Sequence, residues 1–138
     1  MIWKLSRSAL VLGVVVLGAA FAGLARADDY PSRPITILVP FPPGGSTDLV
    51  VRLVANKVSE SLKQPIIIEN RPGAAGNVAA MAIKNASPDG YLLMTGHTGT
   101  HAINPTLYTD LKFDPVKDFQ PITALIAFNN ILVVPTAS

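Results

Sequence analysis

From Ile35 to Phe41 every position is apolar or β-branched, and the run is bounded by Pro34 and Pro42. A strand with one wet face would alternate polar and apolar residues, so this run reads as a short strand buried on both faces. Pro42 and Pro43 then withdraw two N–H donors, Gly44 and Gly45 open backbone conformations closed to other residues, and Ser46, Thr47 and Asp48 are helix-capping types. Apolar Leu49, Val50, Leu53, Val54, Val58 and Leu62 follow at helical spacing. They predict a helix that ends near Lys63 and turns that stripe to the core.

The same grammar occurs twice more. Gln64-Pro65 breaks the helix before a second short buried strand over 66–69, and a proline and glycine loop over 70–77 feeds a helix from Val78 to about Ala86. Ser87-Pro88-Asp89-Gly90 is a turn by its chemistry and delivers a third strand over 91–95. A loop of glycines and hydroxyls over 96–101 leads into a short turn or helix over 104–108. Residues 109–118 are polar and irregular, with Asp114 capping one helical turn, and 121–127 and 130–135 read as two further strands. Strands alternating with helices imply an α/β fold with a mostly parallel sheet and flanking helices. Right-handed crossovers then put all three loops on one edge of the sheet. Ligands sit beyond the carboxyl ends of strands in such sheets, and helix N-termini attract anions, so the first loop is expected to grip a carboxylate.

The start of the chain belongs to a different category. Lys4 and Arg7 precede an apolar run over 9–24, and Ala25-Arg26-Ala27 presents small residues at the spacing a signal peptidase accepts, which predicts a leader over 1–27 cleaved after Ala27. That run is shorter than the about 20 residues a membrane span needs. Its removal changes the charge: the whole chain is +2, but without Lys4, Arg7 and Arg26 eight basic residues face nine acidic ones, a net of −1. Nothing in the mature part then argues for nucleic acid or an anionic membrane surface as a partner. The chain has no cysteine, which excludes disulfides, thiol catalysis, cysteine-ligated metals and a lipid anchor on cysteine.

Three motifs in order carry a family likeness: Pro-Ile-Thr-Ile-Leu-Val-Pro-Phe-Pro-Pro-Gly-Gly-Ser-Thr-Asp over 34–48, Glu-Asn-Arg-Pro-Gly-Ala-Ala-Gly-Asn over 69–77, and Pro-Asp-Gly-Tyr-Leu-Leu over 88–93 with the threonine loop after it. Together they resemble the Bug family, the extracytoplasmic solute receptors of tripartite tricarboxylate transporters. The resemblance implies a two-lobed periplasmic binding protein of the type II kind that closes on a small organic acid and hands it to membrane permease subunits, without a cofactor. Family members are longer, so residues 28–128 would form lobe one only, and 129–138 the start of the crossover to the second lobe. By motif position the resemblance assigns ligand contacts to Phe41, Gly44, Gly45, Ser46 and Asp48 in the first loop. It adds Gly73, Ala74 and Gly76 in the second, and His97, Thr98 and Thr100 in the third. The family usually has glycine where this chain has Ala75.

Each candidate also has a plainer reading. Ser46 and Thr47 are suited to helix capping, and Asp48, a like charge beside an anion, to holding the helix start or a bridging water. His97 and His101 are four apart, which on a helix would invite a metal. Gly96 and Gly99 argue for a loop instead, and no acidic residue follows at ligand spacing. Arg71, next to Glu69 and Pro72, reads as a brace of its own loop. The competing function is a secreted α/β hydrolase with Ser46 as nucleophile and His97 or His101 as base, but Gly44-Gly45-Ser46-Thr47-Asp48 lacks the second glycine of a nucleophile elbow. No Gly-Lys-Ser/Thr follows the glycines, which argues against a phosphate-binding loop.

Overall fold

The run that opens the pattern is the centre of the sheet. In the computed structural model, which describes residues 30–127 and 135–136, β1 (Ile35–Val39) lies between β2 (Ile66–Asn70) and β3 (Leu92–Met94) in the order β2-β1-β3. Both pairings are parallel, with Ile35 opposite Ile66, Val39 opposite Asn70 and Leu38 opposite Met94. A central strand meets side chains on both faces, which is why every residue of β1 is apolar or β-branched: Ile35, Leu38 and Val39 are buried. β2, expected to be buried, is an edge strand, and its Ile67 is exposed. The chain divides into units 1–30 and 31–138. The leader expected over 1–27 and most of the strand expected over 130–135 lie outside the described residues. Among the described residues no helix is long and apolar enough to cross a membrane.

Helix α1 (Ser46–Leu62) has the expected length and packs on β1 and β2, but a different face. Its buried residues are Asp48, Val51 and Ala55, whereas Leu49 and Leu53, counted in the core stripe from the sequence, are 56% and 68% exposed. At 3.6 residues per turn, Leu49 and Leu53 stand on the side away from Val51 and Ala55. Asp48, a polar residue held inside by its hydrogen-bond partners, lies on the same buried face as Val51 and Ala55.

Helix α2 (Asn77–Lys84) buries Ala79 and Ala80 completely and packs on β3, the close approach expected of small residues. The turn before β3 forms as its chemistry requires: Gly90 has φ +80° and the Tyr91 N–H donates to Asp89 Oδ1 at 3.0 Å. Beyond β3 the backbone is helical where a loop was expected, with a π-helical turn over Gly99–Ile103 running into α3 (Asn104–Leu107). The Asn104 N–H donates to Gly99 O, five residues back, so Gly99 is accommodated in a widened turn.

Asp114 caps a turn as expected, accepting the N–H groups of Val116 and Lys117 at 2.9 and 3.1 Å, bonds that hold its carboxyl below the usual range. Phe113 is buried edge-on to Phe119, and Lys84 ties the segment to α2 through Asp118 at 3.0 Å. The strand expected over 121–127 does not form. Those residues are irregular and exposed, and no described strand runs beside them to supply a hydrogen-bonding ladder.

Candidate functional site

Parallel pairing puts the carboxyl ends of β1, β2 and β3 on one edge, and the loops that follow touch one another there. The first loop is organised by Asp48. Its carboxylate, 2% exposed, accepts from the Gly44 N–H and Arg52 Nε on Oδ2 and from Asn70 Nδ2 on Oδ1, each at 2.9 Å. The Arg52 bond, then the Gly44 and Asn70 bonds, hold the Asp48 carboxyl far below its ordinary value against the opposing effect of burial. The same bond raises the Arg52 guanidinium further. Asn70 also donates to Phe41 O at 3.1 Å and accepts from Arg52 Nη2 at 3.0 Å. One side chain at the end of β2 thus fixes both ends of the loop after β1.

That network corrects the capping assignment. The N-cap is Gly45, with no side-chain bond to the helix, so Ser46 and Thr47 sit in the first turn with hydroxyls that do not cap it. The stabilising acceptor comes from inside the helix instead: Asp48 reaches back to the Gly44 N–H. Arg71 pairs with Glu69 at 2.6 Å and donates its N–H to Val39 O at 2.8 Å, which braces its own loop.

The second loop makes a tight turn of unusual hand. Gly73, Ala74, Ala75 and Gly76 all have positive φ, at 140°, 45°, 53° and 90°. Two alanines in the left-handed region are strained, and such strain persists only where surroundings dictate the path. Gly76 shows what dictates it: a Cβ there would stand 2.5 Å from Thr100 Cγ2 and 3.2 Å from Pro40 Cβ. The second loop is therefore wedged between the first and the third. Buried Asn104 completes the joint, donating to Ala75 O at 3.1 Å and Asn77 Oδ1 at 2.6 Å.

In the third loop the two histidines point to different places. The His97 ring meets Phe41 edge-on, centroids 5.0 Å apart, and Nδ1 accepts the Gly99 N–H at 3.0 Å. His101 packs edge-on against Phe119 at 5.0 Å, and burial lowers its pKa. Thr100, fully buried, bridges them: Oγ1 accepts the His97 N–H at 3.1 Å and lies 3.0 Å from His97 O and 2.7 Å from His101 Nδ1. Thr98 is exposed. Neither histidine bonds Ser46, and among the described residues no three acidic or histidine side chains are grouped to hold a metal.

Of the residues singled out from the sequence, Phe41, Gly45, Ser46 and His97 line a groove of about 370 Å³ with Pro42, Pro43 and Thr47. Gly44 is at its edge with open space around it. Asp48, Gly76 and Thr100 lie beneath as buried joints, and Gly73 and Ala74 belong to the left-handed turn. Sequence reasoning missed Arg52, Asn70 and Asn104. Arg52 had a signal, standing four residues after Asp48 on one helix; Asn70 had a weaker one, a polar residue closing an apolar strand. A second depression, about 270 Å³, lies at the amino ends of the strands, where Arg33 pairs with Asp89 at 2.9 Å and covers the Tyr91 ring at 4.0 Å.

Comparison with known proteins gives a consistent result. Residues 50–138 match the family described as tripartite tricarboxylate transporter family receptor. Protein BugT of Bordetella pertussis is 36% identical over 121 residues, 87% of this chain and 37% of BugT. The structure of MatC from Rhodopseudomonas palustris with bound malate is 46% identical with a TM-score of 0.64, over 67% of this chain and 31% of MatC. The periplasmic binding protein BugD is 36% identical with a TM-score of 0.64, over 67% of this chain and 31% of BugD. The chain thus spans little more than a third of the length of the relatives it matches.

Proposed function

The chain belongs to the tripartite tricarboxylate transporter receptor family, a family of receptors and not of enzymes, and from that premise we propose that it binds a small organic acid outside the cytoplasmic membrane and delivers it to the permease subunits of such a transporter. The observation that carries the reading is the junction of the three loops, with Gly76 held between Pro40 and Thr100 and His97 against Phe41. It leaves a groove walled by the Phe41 and His97 rings, two prolines and the small residues Gly45, Ser46 and Thr47, at the edge of the sheet where ligands of α/β proteins sit.

In this reading Phe41, Gly44, Gly45, Ser46, His97 and Thr98 face the solute, while Asp48, Gly73, Ala74, Gly76 and Thr100 hold the loops that present them. Residues 28–128 form one lobe of a two-lobed binding protein, 129–138 begin the crossover to the other, and 1–27 are a leader removed after Ala27. The malate bound by MatC, 46% identical, supports a solute of dicarboxylate size.

Calorimetric titration with dicarboxylates, tricarboxylates, amino acids and aromatic acids tests the proposal. Saturable binding of an acid without turnover is the expected result. Hydrolysis of a simple ester, abolished by Ser46→Ala, would establish the hydrolase instead. Amino-terminal sequencing of the exported protein checks the leader, with Asp28 as the expected first residue.

A further inference from the structure

We propose that Asn70, which does not itself line the groove, is a positioning residue for solute binding: it holds the Phe41 carbonyl and, through it, the wall formed by Phe41 and His97. This rests on the receptor reading and adds a residue to its machinery. The loop after β1 cannot hold itself. Pro40, Pro42 and Pro43 carry no N–H, so among residues 40–44 only Phe41 and Gly44 have a backbone donor to offer. The loop is fastened from outside instead. The Gly44 N–H goes to Asp48 on α1, and at the end of β2 the Arg71 N–H takes the Val39 carbonyl while Asn70 Nδ2 takes that of Phe41 at 3.1 Å. Pro42 disfavours helical backbone at the residue before it, so with few conformations open to Phe41, fixing its carbonyl fixes where its ring projects. That ring meets His97 at 5.0 Å and 75°, and both line the groove.

The chemistry of the place requires an amide. Arg52 Nη2 can only donate, and it donates to Asn70 Oδ1 at 3.0 Å. Asp48 Oδ1, 2.9 Å from Nδ2, and Phe41 O can only accept. The acceptor end of Asn70 is thereby turned to Arg52, and its two N–H groups go one to α1 and one to the loop. Two functions meet in this side chain, and exchanging it with its neighbour separates them. In the double variant Asp48→Asn with Asn70→Asp, the new amide at position 48 still offers an oxygen to the Gly44 N–H and Arg52 Nε, and its NH2 reaches the new carboxylate at position 70, which still accepts from Arg52. Only the Phe41 carbonyl is left facing an acceptor.

Thermal unfolding and an NMR titration with succinate make the test on the chain and its variants. Asn70→Asp alone sets two carboxylates against each other and is expected to lower Tm by about 5 °C or more, most of which the double variant regains. The double variant is still expected to bind succinate at least about tenfold more weakly than wild type, with its His97 ring-proton signals displaced because the Phe41 ring has moved. A double variant with wild-type affinity and wild-type His97 signals overturns the inference and leaves the receptor reading standing, as does lost affinity with the His97 signals unmoved. A measurement on wild type alone covers the case in which the variants do not fold. The Asn70 side-chain amide signals are expected to shift with succinate in step with those of the His97 ring, although Asn70 is outside the groove, and amide signals that stay still while the ring responds overturn the inference. No response of wild type to succinate or to any other acid overturns both.

Discussion

A carboxylate at 2% exposure persists only if its oxygens are occupied, and Asp48 has three donors on two oxygens. Its folded pKa is depressed below the unfolded value of about 3.9. The group therefore contributes stability that is fully present above that value and is lost as pH falls below it toward the folded pKa. Asp48→Asn is expected to lower Tm by about 5 °C or more at neutral pH, with the gap to wild type narrowing below pH of about 4. A gap that stays constant with pH would show that the charge is not what the network uses. Asp114 and Asp118, also depressed by their hydrogen bonds, titrate in both proteins and cancel in the difference. Two glycines give a second contrast. Gly44→Ala, at φ +87° with open space, should destabilise by about 1 kcal/mol from backbone conformation alone. Gly76→Ala adds a collision with buried Thr100 and should lose about 3 kcal/mol in urea unfolding.

At the scale of elements, α1 separates apolar spacing from the face actually buried. Val51→Ala should destabilise by about 2 kcal/mol, because the methyl groups leave a filled site against the sheet. Leu53→Ala, despite removing more carbon, should stay within about 0.5 kcal/mol by denaturant titration, since the side chain is 68% exposed. The reverse order would restore the stripe read from the sequence. The second loop stores its own strain. Ala75→Gly at φ 53° should raise stability by about 0.5–1 kcal/mol, the relief of the left-handed conformation exceeding the entropy of the freer unfolded chain.

For the whole molecule, the sheet of three strands supports one side of a groove that remains open to solvent. A solute held on one side keeps much of its surface wet, and well-formed sites enclose most of a ligand. Residues 28–138 alone are therefore expected to bind succinate only in the millimolar range by calorimetry. Submicromolar binding by this piece would contradict the two-lobe reading. The exposed Ile122, Leu125 and Ile126 mark where strand-like sequence finds no neighbour among the described elements.

Periodicity and punctuation determined the order of elements, the parallel sheet and the shared edge of the three loops, because buried strands, proline-glycine breaks and helical spacing are local properties written residue by residue. The turn at Gly90 and the cap at Asp114 were legible for the same reason. The orientation of α1, the left-handed turn at Ala74 and Ala75, the separation of His97 from His101 and the linking roles of Arg52, Asn70 and Asn104 were decided only by tertiary contact. Each depends on a partner far along the chain: Asp48 on Asn70, Gly76 on Pro40 and Thr100, His97 on Phe41. Local pattern carries no record of such pairs, so it marked which loops meet but not which atoms they leave free.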